Sequence, residues 1–251
     1  MTKYITTLVL ALTLLSANAQ TSNMMNDSKL TTRQINLATC AALEAQGDME
    51  RLDKALRKAL DEGVTVNELK EAFSQLYAYT GFPRSLNALN LLKTVLEERK
   101  SSGIDDNEGK PWQRPALWDN AEEALLRGTE VQTRLCGGVP YNFEFSPQND
   151  HYLKAHLFGD IFASDQLSES DREIVTVAAL SAMKGVERQL ASHKRGAVMM
   201  GNTAEQVEQL CHYLSVNGLS QSDGAADACY GEWPKGNPNT RYAQYFTGDS
   251  H

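Results

Sequence analysis

The chain has 251 residues, 41% of them hydrophobic and 22% charged, and a net charge of −8 at pH 7. That composition is ordinary for a globular protein and excludes a disordered or fibrous polypeptide, and the acidic balance argues against nucleic acid as a partner, which would call for a basic patch. The four cysteines, Cys40, Cys136, Cys211 and Cys229, form no C-x-x-C, leaving open small buried thiols, three possible complete disulfide pairings or a reactive thiol.

The N-terminal "MTKYITTLVLALTLLSANAQ" has a lysine, an apolar run through Leu15, and then Ala17-Asn18-Ala19. This is the pattern of a secretory signal peptide over residues 1–19, cleaved after Ala19. The run is shorter than the roughly 20 apolar residues a membrane span requires. The expectation is an exported chain, periplasmic or secreted, with no membrane attachment after cleavage.

From there the periodicity is helical. "LTTRQINLATCAALEAQ" opens on a threonine cap candidate, and its apolar residues recur at steps of three and four. "GDMERLDKALRKALDEGVT", residues 47–65, continues the pattern. "NELKEAFSQLYAYTGFP" places Leu69, Phe73, Leu76 and Tyr77 on one face before a Gly-Phe-Pro break. Pro83 suits the first turn of the following helix, "RSLNALNLLKTVLEERK". The first unit is thus bounded at 20–104. Residues 105–147, beginning "DDNEGKPWQRP", read as a linker carrying a short helix, "WDNAEEALLRGTEVQTRL". "NDHYLKAHLFGDIFASDQ" leads into a second unit at 148–228, and a Gly/Pro/Asn-rich tail at 229–251 reads as irregular. No stretch alternates apolar and polar residues long enough for a sheet, so the fold class is all-α.

The two units share a frame. "LSESDREIVTVAALSAMKG" answers "LTTRQINLATCAALEAQG", with Ser168 or Ser170 as cap and Arg172-Glu173-Ile174 set over Arg33-Gln34-Ile35. "GVERQLASHKRGAVMMGNT" (185–203) lies over residues 47–65, Gly201 over Gly63 and Thr203 over Thr65. This is an internal duplication. Its asymmetry is chemical, because His193 in the second copy stands where the first has Ala55.

Val186, Gln189, Leu190 and His193 fall along one helical stripe. If the Lys184-Gly185 break makes an antiparallel hairpin, Glu173 approaches that stripe, and a carboxylate fixes an imidazole's tautomer for acid–base work. Glu187 is the other candidate to orient His193. His156, on "KAHLFGDIF", is a second candidate donor or substrate contact. Arg195 or Lys194 could pair with an anionic substrate, the alternative being a solvated helix face. Metal binding has no support, since the five histidines form neither H-E-x-x-H nor H-x-x-E-H.

The frame around His193, with "HLFGDIFASDQLSESDREI" before it and "YTGFP" in the first copy, resembles carboxymuconolactone decarboxylase-type proteins of the alkyl hydroperoxidase D-like superfamily. The resemblance implies tandem helical repeats packed as a pseudo-dimer and assembly as a trimer of pseudo-dimers. It also implies loss of CO₂ from a small carboxylated lactone without a cofactor, His193 delivering a proton to carbon. The superfamily's peroxidases use C-x-x-C-x-x-x-H, whose thiol positions fall here on Val186 and Gln189, and in the first copy on Asp48 and Arg51. Three functions follow as expectations: a cofactor-independent lyase; a thiol-dependent antioxidant protein using one of the four cysteines; and a non-catalytic binding or assembly module.

Overall fold

The structure is a computed structural model that describes residues 29–221. The expected signal peptide, Cys229, His251 and the tail expected to be irregular lie outside the described residues. Those residues form nine α-helices and no strand, and none of these helices is long and apolar enough to cross a membrane.

The first copy is α1 (Thr32–Gln46), α2 (Met49–Asp61), α3 (Val66–Thr80) and α4 (Phe82–Ser101). Its boundaries follow from capping chemistry. Thr31 and Gln34 close a capping box on α1, Asp48 accepts the Arg51 N–H at the start of α2, and Thr65 with Glu68 repeats the box on α3. Gly47 ends α1 at φ 74°, a left-handed cap that other residues adopt at a cost. The second copy is α7 (Glu169–Ser181), α8 (Glu187–Met199) and α9 (Ala204–Val216). Ser168, not Ser170, is the α7 cap, accepting the Asp171 N–H, and Thr203 with Gln206 boxes α9.

The two copies pack as a pseudo-dimer around one core. α1 and α7 lie against each other at its centre, with Leu37, Ala41, Ile174 and Ala178 at most 1% exposed. Alanines on both helices allow this close approach. Polar groups cross the same seam: Arg33 bonds Asp171 at 2.8 Å, Gln34 donates to Asp171, and the Thr39 and Tyr213 hydroxyls meet at 3.0 Å.

The caps correct the alignment of the copies. Thr31 matches Ser168, and Thr39 and Thr176 each donate to the carbonyl four residues back, those of Ile35 and Arg172. Arg172 therefore stands over Ile35 and Glu173 over Asn36, two places from the register that the Arg-x-Ile likeness suggests. "TCAAL" over "TVAAL" is the true frame.

The stretch expected as a linker contributes packed structure. After a 3-10 turn (Ala116–Asp119) comes α5 (Ala121–Leu135), whose Ala124, Gly128, Val131 and Leu135 form one buried stripe. It packs on a π-helical segment at Tyr152–Ile161, which directly continues α6 (Pro147–His151). Gly128 and Gly159 permit this contact, for a Cβ on either would overlap the facing backbone. Val131, Leu135, Leu157, Phe158 and Phe162 make a second, smaller core there.

Glu44, near the end of α1, is fully buried. One of its oxygens accepts from the Thr80 hydroxyl at 2.7 Å and the other has no partner. Burial pushes this carboxyl up to about 7, against the Thr80 hydrogen bond and the Arg84 charge. A carboxyl raised in the folded state stabilises it fully only below its unfolded value, and that stability is lost as pH rises from about 4.5 through 7. Glu44→Gln is expected to remove this slope. It should gain about 2–3 kcal/mol over the native chain at pH 8 and little at pH 4.5, read by urea unfolding at both pH values.

Candidate functional site

The hairpin of α7 and α8 carries the site. Gly185, at φ 79°, makes the turn. α8 has no side-chain cap of its own, since Val186 occupies the N-cap position; Glu187 instead reaches back to accept the Gly185 N–H at 3.0 Å. Those backbone donors hold its carboxyl below the usual range, and it is exposed to solvent. Glu187 serves the turn and does not join His193, a correction to the expectation that it orients the imidazole.

Glu173 does meet the histidine. Its Oε2 lies 2.8 Å from His193 Nδ1, with Glu173 at 0% and His193 at 8% exposure. A buried carboxylate on one ring nitrogen sets the orientation of the ring and leaves Nε2 for chemistry. Glu173 Oε1, also buried, has no hydrogen-bond partner. Such an orphan costs about 1–3 kcal/mol, a cost a bound donor would remove.

The first copy adds a residue that sequence reasoning passed over. Tyr79 of α3 meets the His193 ring edge-on, centroids 5.4 Å apart and planes at 81°. Its hydroxyl is buried, close to Thr176 but outside hydrogen-bonding geometry. Burial first, then the Glu173 charge, raises its pKa, so it stays a phenol able to donate. Tyr79 is the tyrosine of "YTGFP", a stretch that reads as a helix stop; its side chain reaches the other copy's histidine only because the copies pack.

The pseudo-symmetric position is dismantled. Ala55 replaces the imidazole and Asn36 the acid, its amide held between Glu62 and Lys58. Asn217 stands where Tyr79 would, and Arg51 donates to the carbonyls of Asn217 and Gly218. Each copy has lost what the other keeps, so one composite position remains.

Arg195 is half-buried on α8 near Cys136, the residue that closes α5. Burial, the largest influence, raises the pKa of this thiol; the positive charge of Arg195 lowers it and the negative charge of Glu173 raises it further. Lys194, the other candidate for an anionic partner, is 6% exposed, so the alternative of a solvated helix face does not hold for it. Cys40 is fully buried, its thiol pushed up to about 12. Neither Cys40 nor Cys136 is set up as a thiolate nucleophile, which needs a lowered pKa. His156 does not join the site: it pairs with Asp160 at 2.9 Å and faces a separate cavity beside Tyr77.

One family model, described as the Carboxymuconolactone decarboxylase family, matches the chain twice, over residues 13–94 and 147–219. No curated protein matches it.

Proposed function

The chain belongs to the carboxymuconolactone decarboxylase family in both of its halves, and on that premise we propose that it is a cofactor-independent lyase acting on a small carboxylated lactone or related ring compound. The observation that carries this reading is the buried His193–Glu173 pair beside Tyr79, with an unpaired carboxylate oxygen and an unpaired phenol in the same place.

In the proposed reaction the bond between the ring carbon and its carboxylate breaks, and the electron pair moves into a conjugated carbonyl as an enolate. CO₂ departs, and His193 delivers a proton to the carbon. Glu173 remains on Nδ1, orienting the imidazolium and balancing its charge until the proton has gone. Tyr79, kept a phenol by its burial, donates to the oxygen that gains charge. Arg195 offers its positive charge to the substrate carboxylate. We further propose export after cleavage at Ala19 and assembly as a trimer of pseudo-dimers.

The test is turnover of 4-carboxymuconolactone by residues 20–251, alongside His193→Ala. The variant removes only a side chain at a position where the first copy folds with alanine. It is expected to keep its circular dichroism spectrum and lose about 10²-fold or more in kcat. Turnover undiminished in the variant would remove the imidazole from the mechanism, and an inactive native protein would rule out this lactone.

A further inference from the structure

A cavity of about 690 Å³ lies between α3, α4, the π-helical segment and the stretch ahead of α5, and neither His193 nor Glu173 lines it. Part of its wall, Trp112, Arg114 and Trp118, comes from residues between the two family matches. Its size is that of a pocket for a ligand of one or two rings.

The aromatic groups are held in place. Trp118 donates its indole N–H to the Asp160 carbonyl at 3.0 Å and stays 43% exposed. Trp112, 48% exposed, packs against it with centroids 5.8 Å apart. Arg114 sits over the Trp118 ring and is clamped by two bonds to Asp119. Tyr77 and Phe82 stack at 4.1 Å on the facing wall. Large rings left half-open around a concavity are what a planar apolar ligand would cover.

The polar groups narrow the ligand further. Ser164 is 7% exposed and lines the cavity, yet its hydroxyl has no partner, although its carbonyl accepts from Arg172. Two carboxylates of the wall are engaged, Glu71 by Arg172 at 2.6 Å and Asp160 by His156. Lys70 is held only at 3.4 Å by Asn67 and 3.5 Å by Glu108, so its charge is loosely committed.

We propose that this cavity is a second binding site, for an aromatic carboxylate. The ring packs on Trp112 and Trp118, the Ser164 hydroxyl donates to the carboxylate, and Lys70 adds positive charge to the wall. The proposal is independent of the reading of His193.

Isothermal titration of residues 20–251 with 2-naphthoate tests it. The native protein is expected to give a saturable one-to-one isotherm. Trp118→Ala and Trp112→Ala, both at half-exposed positions, should each weaken binding about tenfold, and Ser164→Ala about fivefold. His193→Ala should leave the affinity unchanged, and the neutral 2-naphthalenemethanol should bind at least about fivefold more weakly. No saturable heat in the native protein overturns the site. So does an affinity indifferent to both tryptophan variants, or one lost in His193→Ala. Equal binding of the neutral alcohol overturns the assignment of a carboxylate.

Discussion

Arg172→Met is expected to lower the unfolding free energy by about 3–5 kcal/mol, the usual result of stranding one member of a buried ion pair. Arg172 is 1% exposed. Its guanidinium reaches Glu71 at 2.6 Å, Gln75 at 2.9 Å and the Ser164 carbonyl at 2.8 Å, and it lies over the Phe162 ring. One side chain of the second copy thus engages α3 of the first and the chain leading into α7. Methionine fills much of the volume but leaves the Glu71 carboxylate, 7% exposed, without its counter-charge. Adding Glu71→Leu should recover most of the loss, because removing both charges removes the desolvation cost as well. Urea unfolding followed by far-UV circular dichroism measures both variants. A loss under about 1 kcal/mol for the single change would mean that the network does not hold the copies together.

Gly128→Ala is expected to cost about 3 kcal/mol and to loosen the contact between α5 and the π-helical segment. Helix propensity alone predicts the opposite, a gain of about 1 kcal/mol from replacing a mid-helix glycine. Sterics outweigh it here. The added Cβ would overlap the Lys154 carbonyl oxygen and stand 2.7 Å from the Gly159 nitrogen, and both are backbone atoms that no rotamer change can move. Arg127→Ala, one residue earlier on the exposed face, should change stability by no more than about 0.5 kcal/mol. Hydrogen exchange across residues 121–161 distinguishes the two: faster exchange is expected in Gly128→Ala alone. A stabilised Gly128→Ala would refute the close packing.

Helix class and duplication were legible because both rest on local pattern: threonine and serine caps, glycine stops and three-to-four spacing. The His193–Glu173 approach was legible for the same reason, since a short break between two helices makes them antiparallel neighbours. The detailed register was not. Arg-x-Ile occurs in both copies at positions that are not equivalent, and only the buried "CAAL" and "VAAL" runs with their threonines fix the frame. The turn before α8 carries one residue more than its counterpart, so the match around Gly63 and Gly201 could not reveal the slip.

Three features depended on contacts distant in sequence. Tyr79 reaches the histidine across the seam between copies, which no single-copy periodicity encodes. The widened turns of Tyr152–Ile161 go with a close approach to α5 at two glycines. His156 shares a segment with residues that pack near the site, yet its own face turns to Asp160 and Tyr77. Glu187 misled for a simpler reason: an acidic residue in a first turn has backbone N–H groups closer than any imidazole.

Fusion also changes what mutation can do. In a pair of identical chains every substitution is made on both sides of the axis at once, so an imidazole cannot be given up on one side and kept on the other. Here Arg51 could settle onto the carbonyls of Asn217 and Gly218 without any matching change reaching His193. The covalent join released two formerly equal halves from symmetry, and one of the vacated positions now works as a clasp between them.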